Sequence, residues 1–252
     1  MLENGSPVSA KTLQAATECY YREYNARKGV DRNSLLHNPE VLFQSLAKDA
    51  AMVRAMQWIK PNPEMARVLD VGCGGGDSLW VLLRLGFEPA NLSGVDIQEE
   101  KIIQAKATNP LVNFECADAT SLVFRNETFD IAMESMMFLQ LTDDDIARRI
   151  ASEMIRVTRP GGILLVSDWR YSKPGSKEFK GVSLKRIADL YQVGKQTRVR
   201  RTFRGALVPP VGRFLSKHVP SAYFAVHKLM PFLTGQMVTV LEKRGASEES
   251  AR

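Results

Sequence analysis

The sequence predicts a doubly wound, mainly parallel α/β sheet. Three observations carry that expectation. Short apolar, β-branched runs alternate with helical periodicity from Arg67 to Asp168. A glycine-rich turn, Gly72-Cys73-Gly74-Gly75-Gly76, joins the first run directly to the first helix of the alternation. A chain of 252 residues is long enough to bury one large core.

Ahead of the alternation, residues 1–9 are expected to lack regular structure. A helical pattern runs from Ser9 to Lys28, with Leu13, Ala16, Cys19, Tyr20 and Tyr24 near one face. Asp31-Arg32-Asn33-Ser34 reads as a turn. Asn38 is a candidate N-cap with Pro39 at the first helical position of a helix running to about Trp58, which Pro61-Asn62-Pro63 ends. Strands are then expected at Arg67–Val71, Leu92–Asp96, Val112–Ala117, Phe129–Glu134 and Ile163–Asp168. Helices are expected at Asp77–Leu85, Glu99–Thr108 and Asp143–Val157, with a sharp turn at Arg159-Pro160-Gly161-Gly162. Parallel neighbours joined through helices imply right-handed crossovers. Further on, Val182–Tyr191 reads as a helix, Arg198–Arg204 as a strand and Gln236–Leu241 as a final, antiparallel strand. The chain therefore divides into an N-terminal helical cap (1–60), a core (61–169), a basic substrate-binding or lid insertion (170–235) and a last core strand (236–244).

Composition excludes several classes. The chain is 44% hydrophobic and 25% charged, as in ordinary globular proteins. It has no apolar run of membrane-spanning length, and Met1–Lys11 lacks the apolar core of a signal peptide. Three scattered cysteines, Cys19, Cys73 and Cys116, fit a reducing cytoplasm and form no metal-ligand spacing. The net charge of +6 is segregated: residues 170–244 carry 16 Lys/Arg and three acids, and the remainder 18 bases and 25 acids. Such segregation points to an anionic partner for the C-terminal third, or to a solvated basic surface.

The turn after the first strand narrows the ligand. A strand, a tight glycine loop and a helix N-terminus form a nucleotide cradle. Asp70 stands where a pyrophosphate rests in dinucleotide enzymes, so like charges would repel and a cationic amino group would be favoured. Asp77 occupies the place of the third dinucleotide-fingerprint glycine, and no Gly-Lys-Ser/Thr follows to make a phosphate loop. Cys73 reads as a small side chain that fits the turn.

Five motifs then occur in order: Val68 to Gly76, Gly94-Val95-Asp96-Ile97, Ala117-Asp118-Ala119, Phe129-Asp130-Ile131 and Arg159-Pro160-Gly161-Gly162. Together they resemble the class I S-adenosylmethionine-dependent methyltransferases. The resemblance covers Val68 to Ser167 and the final strand, and implies a seven-stranded Rossmann-like sheet with S-adenosyl-L-methionine as cofactor. It implies that Gly72, Cys73 and Gly74 approach the ligand. Asp70 would lie near its ammonium, with helix-start N–H groups receiving its carboxylate. It further implies Asp96 on the ribose hydroxyls, Ile97 on the adenine face, Asp118 on the exocyclic amine and the Ala119 N–H on a ring nitrogen. Glu134 and Ser135 end the fourth strand at the ligand-binding edge.

The acceptor is written outside that core. Asp168, at the end of the fifth strand, is a candidate base or else an acid pairing with Arg170. His37, His218 and His227 are the only histidines, and His37, just before a helix cap, is the second candidate base. Glu134-Ser135-Met136-Met137 replaces the Asn-Pro-Pro-Tyr of planar-nitrogen methylation. Asp31–Gln44, Ser167–Arg170 and Leu207–Arg213 look similar to a bacterial subgroup from surface-polysaccharide and natural-product pathways. That resemblance suggests a sugar or glycan hydroxyl, the glycan being lipid-linked and the protein lying at the inner membrane face. The basic segment, with its aromatics Phe203, Phe214, Tyr223, Phe224 and Phe232, would then rest on anionic headgroups, unless these aromatics are core of the C-terminal cap, the reading favoured for most of them. The alternatives are a small natural-product acceptor, a nucleic acid read through Lys195–Arg204, and a cofactor-binding regulator without turnover.

Overall fold

In a computed structural model, residues 29–172, 175 and 178–245 are described, together with 19, 22, 23 and 26. Most of the helix expected at Ser9–Lys28, and all of residues 1–9, lie outside these; the four described positions there are helical.

Seven strands form one sheet: β1 (Val68–Val71), β2 (Leu92–Asp96), β3 (Asn113–Cys116), β4 (Phe129–Ser135), β5 (Thr158–Trp169), β6 (Thr197–Arg204) and β7 (Gln236–Lys243). Their order is β3-β2-β1-β4-β5-β7-β6. The first five are parallel, and β7 runs antiparallel between β5 and β6, as expected for the last strand. The α-helices are α1 (Leu42–Ile59), α2 (Asp77–Arg84), α3 (Glu99–Thr108), α4 (Asp144–Val157), α5 (Leu184–Leu190), α6 (Pro209–His218) and α7 (Tyr223–Leu229).

Local chemistry sets these boundaries. Asp143 caps α4 by accepting from the Asp145 and Ile146 amides. Asn38 accepts from the Glu40 amide, but it caps a 3-10 turn (Pro39–Val41) from which α1 continues. Lys60, at φ 54°, ends α1 in the left-handed conformation ahead of the prolines. All four residues of β1 are buried, because helices cover both faces of a parallel sheet. On one face lie Ile146, Ile150 and Met154 of α4 with Ile187 and Leu190 of α5. On the other lie Met52 and Met56 of α1, Leu79 and Leu82 of α2, and Ile102 of α3. Among the described helices none is long and apolar enough to cross a membrane.

Arg159-Pro160-Gly161-Gly162 does not form the separate turn expected. It bulges out within β5: Phe129 pairs Thr158 and Ile131 pairs Ile163, so the partner strand advances little while β5 makes the excursion. Gly161, at φ 70°, permits it, and Arg159 ties the bulge to Asp130 at 2.6 Å.

The antiparallel strand decides what reaches the carboxyl edge of the sheet. Trp169 pairs with Gln236, and Arg204 with Met237. Residues 205–235, with α6 and α7, therefore stand at the carboxyl ends of the parallel strands. Residues 170–196 return to the opposite edge through α5. The segment expected as an insertion thus also supplies the sheet's edge strand, β6.

Gly94 of β2 permits close packing beneath the glycine turn. A Cβ there would stand 2.8 Å from the Cys73 sulfur and from the Phe114 ring. Gly94→Ala is expected to cost about 1–3 kcal/mol through overpacking, read as a lower thermal midpoint.

Candidate active site

The site is built around the turn after β1. The Gly72 and Cys73 amides donate to the Val95 carbonyl at 2.8 and 3.0 Å, bending the chain away from the sheet. Gly72, Gly74 and Gly76 hold φ of 72°, 51° and 86°, a region costly for residues with a Cβ. A Cβ on Gly72 would also lie 2.7 Å from the Met137 sulfur. Gly76 caps α2 with no side-chain hydrogen bond, leaving first-turn amides at the cradle for another acceptor. Cys73 is buried, and burial first, with Asp70 and Asp96 adding to it, pushes its thiol well up; it is no ready nucleophile.

Asp70 is the anomaly. It lies on the third residue of β1, fully buried, and neither carboxylate oxygen has a hydrogen-bond partner among the described residues. Burial lifts its pKa to about 8, nearby Asp96 adds to the rise, and Lys48 opposes it. A buried acceptor pair without donors is costly to maintain, and a cation is its natural complement.

Asp96 ends β2 and fixes the loops on either side. Its Oδ2 accepts from the Gly74 amide and its Oδ1 from the Gln98 amide, both at 2.9 Å. The turn, Asp70 and Asp96 therefore form one unit, with Ile97 following at the strand end. A carboxylate has about four lone-pair directions, so two remain for hydroxyls. Asp118 accepts from the Thr120 amide at 2.8 Å, shaping the loop that carries Ala119.

Glu134 and Asp168 are placed differently from the other acids. Both are buried at the ends of adjacent strands, and both face the loop over residues 136–141. Glu134 accepts from the Met137 and Ser167 amides, each at 3.0 Å. Asp168 accepts from the Leu139 amide at 2.8 Å and the Trp169 amide at 2.6 Å. Burial and the neighbouring Asp168 push Glu134 well up; burial raises Asp168 to about 7, against the two amides and Arg186. Asp168 does not use Arg170, whose guanidinium donates to the Phe232 carbonyl at 3.1 Å.

The same loop has its carbonyls held by Arg186 of α5. Its Nη1 donates to the Phe138 and Lys180 carbonyls, its Nη2 to Leu141 and its Nε to Asp144. Met136 adopts φ 67°, and Met137 then lies against Gly72. Two buried acids and one buried base thus clamp a strained loop onto the glycine turn.

The three histidines are apart from this cluster. His37 is exposed on the turn before α1, its Nδ1 3.3 Å from the Ser34 hydroxyl. The His218 ring lies 5.0 Å from that of Phe214. His227 is buried, with Nε2 2.6 Å from the Gly205 carbonyl, and burial lowers its pKa.

Sequence reasoning missed Lys48, Arg186 and Met137. Lys48 carried a signal: it falls on the face of α1 shared with Gln44, Ala51, Met52 and Ala55, where a lysine is out of place. Arg186 and Met137 carried none, because only tertiary packing reveals their targets.

Comparison with known proteins agrees with this architecture. Residues 68–162 match the family described as a methyltransferase domain. The 2-methyl-6-phytyl-1,4-hydroquinone methyltransferase of a Synechocystis species is 32% identical over 139 residues, covering 52% of this chain and 42% of that protein. A ubiquinone biosynthesis O-methyltransferase of Mesorhizobium japonicum is 33% identical over 106 residues, covering 41% of each. The chain thus spans about two fifths of the length of these relatives. A Methanosarcina mazei S-adenosylmethionine-dependent methyltransferase shares the fold, with a TM-score of 0.52 and 17% identity over 73% of this chain and 94% of that one. The strand order and the family match agree: residues 68–162 carry the pattern of a methyltransferase domain, on a seven-stranded Rossmann-like sheet.

Proposed function

We propose that the protein transfers a methyl group from S-adenosylmethionine to an acidic hydroxyl, phenolic or enolic, of a small organic acceptor. The unpartnered, buried carboxylate of Asp70 beside the glycine turn carries the donor half of this reading. It asks for a cation, and the uncapped α2 N-terminus next to it accepts an anion, which is the charge pattern of an amino acid. Asp96, Ile97, Asp118 and Ala119 follow along the carboxyl edge, in reach of ribose and then adenine in this reading.

When bound, the cofactor supplies a methyl already activated on a sulfonium. What the chain adds is position. The clamped 136–141 loop and Trp169 at the end of β5 form the floor on the acceptor side, and such ordering supplies on the order of 7–11 kcal/mol in favourable cases. Among the described residues, the candidate bases named from the sequence are engaged with backbone or neighbouring groups, and this supports the acceptor's class. Both oxygens of Asp168 accept from backbone amides, so we assign it a positioning role. His37 is held at Ser34 and His227 at Gly205. An acceptor that ionises unaided suits such a site better than an alcohol. The name of the ubiquinone-pathway O-methyltransferase supports an oxygen acceptor, and that of the hydroquinone methyltransferase supports a small aromatic molecule.

A second reading keeps a sugar hydroxyl as acceptor. Its support is that the segments resembling glycan-pathway enzymes pack together: Arg213 donates to the Arg32 carbonyl and Asn33, and Gln44 to the Leu207 carbonyl. Labelled cofactor offered with quinols, catechols, free sugars and lipid-linked glycans separates the two. Label on quinols or catechols is the expected result; label on sugars alone replaces the first reading by the second. Asp96→Ala is expected to weaken S-adenosylmethionine binding more than tenfold by calorimetry, since it frees the Gly74 amide as well as removing a ribose acceptor. Unchanged affinity would remove Asp96 from the site.

A further inference from the structure

The face built by α6, the 220–222 turn, α7 and the 231–233 turn is unusual on three counts. First, it exposes large apolar side chains: Phe214 is 59% exposed, Phe224 47%, Leu229 78% and Phe232 62%. These are not the helices' inner faces, since Gly212 and Ser216 of α6 and Tyr223 and His227 of α7 are the buried positions. The inner faces are already satisfied against Ala47, Ala206 and Leu207. Second, the segment that builds the face carries charge of one sign. No acid occurs between Asp189 and Glu242, while Arg213, Lys217 and Lys228 interleave with the apolar residues. Glu40, from the turn before α1, reaches Lys217 and Arg213 across the α6 side, and Lys228 stands exposed on α7. Third, the face lies at the carboxyl edge of the sheet, the edge that carries the cofactor cradle.

Apolar side chains among basic ones, with Glu40 the acid that reaches them from the α6 side, match a bilayer whose headgroups are anionic and whose interior is apolar. A protein partner of the ordinary kind would meet a core depleted in lysine. A nucleic acid would meet phosphate-binding bases but no use for Leu229 or Phe232. A cleft of about 490 Å³ opens beside the face, lined by Ala47, Ala50, Val53, Arg54, Phe224 and His227, and Phe224 belongs to both. We propose that this face docks the protein onto an anionic lipid bilayer, with Phe224, Leu229 and Phe232 entering the interface and Lys217 and Lys228 contacting headgroups. The docking holds the reaction edge at the membrane. It does not depend on which hydroxyl is methylated.

The test uses the full chain and sedimenting vesicles, either phosphatidylcholine alone or with one third phosphatidylglycerol. Partition onto the anionic vesicles at low salt is expected to exceed that onto phosphatidylcholine at least tenfold. The triple variant Phe224→Ser, Leu229→Ser, Phe232→Ser is expected to lose at least tenfold in partition, and Lys217→Gln with Lys228→Gln to flatten the salt dependence. Both should keep the wild-type S-adenosylmethionine affinity, showing that the cradle is intact. The inference is overturned if anionic vesicles bind no better than neutral ones, or if the triple variant partitions like wild type. It is equally overturned if the triple variant abolishes self-association of a protein that ignores vesicles, or if the face binds a labelled oligonucleotide and not lipid.

Discussion

Asp70→Asn is expected to stabilise the ligand-free protein and to weaken S-adenosylmethionine binding more than tenfold. The two effects share one cause. Asp70 is buried without a hydrogen-bond partner among the described residues, and its pKa stands at about 8 instead of 3.8. At neutral pH the unfolded chain carries the ionised acid while the fold holds it protonated, so folding must take up a proton. A carboxyl whose folded pKa is raised costs stability progressively from about pH 4 upward, and the cost levels off above about pH 8. Asparagine removes that cost but leaves its own amide unpaired, at about 1–3 kcal/mol. The net gain is therefore expected near 1–2 kcal/mol, or about 2–8 °C in thermal midpoint at this chain length. Binding carries the opposite sign. A cationic ligand group pairs with the ionised form only, so below pH 8 it must displace the proton. Affinity is expected to rise up to about tenfold per pH unit between pH 6 and 8, to plateau above, and to lose this slope in Asp70→Asn. Calorimetry in buffers of different ionisation heat reads the released proton directly. A pH-independent affinity in the wild type would show that Asp70 does not face the cation.

Arg186→Met is expected to cost about 3–5 kcal/mol, the range for removing one partner of a buried charged network. The side chain is buried and donates to the Phe138, Lys180 and Leu141 carbonyls as well as to Asp144. Its loss leaves the Lys180 and Leu141 carbonyls without this donor, the Phe138 carbonyl with the Leu141 amide, and Lys180 alone against Asp144. The loop over residues 136–141 then loses one side of its clamp, and Met137 its fixed position against Gly72. Cofactor affinity should fall along with stability, measured by calorimetry below the melting range. Arg186→Lys should rescue only part of the loss, since an ammonium cannot reproduce the planar fork that spans several carbonyls. Full rescue by lysine would mean that charge alone, rather than fork geometry, holds the loop.

The core was legible because its signals are local. β2 and α3 match their expected spans residue for residue, and β1 and α4 begin one residue later than expected. Alternating apolar runs, Asp143 as a cap and glycines at the turn each act within a few residues. The bulge at Arg159–Gly162 was not legible, since a glycine turn and a glycine bulge look alike until the neighbouring strand sets the register. The strand-end position of Glu134 makes it a candidate ligand group in the sequence, and its local surroundings there say nothing of its backbone partners. The structure shows its oxygens occupied by the Met137 and Ser167 amides, a pairing across 33 residues in the second case. Arg186 was one base among the 16 of its segment, and nothing in its flanks distinguishes a buried clamp from a solvated charge. The sequence pattern thus located the cradle, and long-range hydrogen bonds determined how its acids are used.

The pairing of Arg204 with Met237 has an evolutionary consequence. The two ends of residues 205–235 leave from neighbouring positions on adjacent strands, about one strand spacing apart. Anything that starts and ends at that distance, from a two-residue hairpin to a whole helical subdomain, can be spliced there without altering the sheet's register. The surface built by these residues can therefore be exchanged as one cassette, while the sheet that carries the glycine turn stays constant. Transplanting residues 205–235 onto a related sheet is the direct way to ask whether the proposed bilayer contact travels with the cassette.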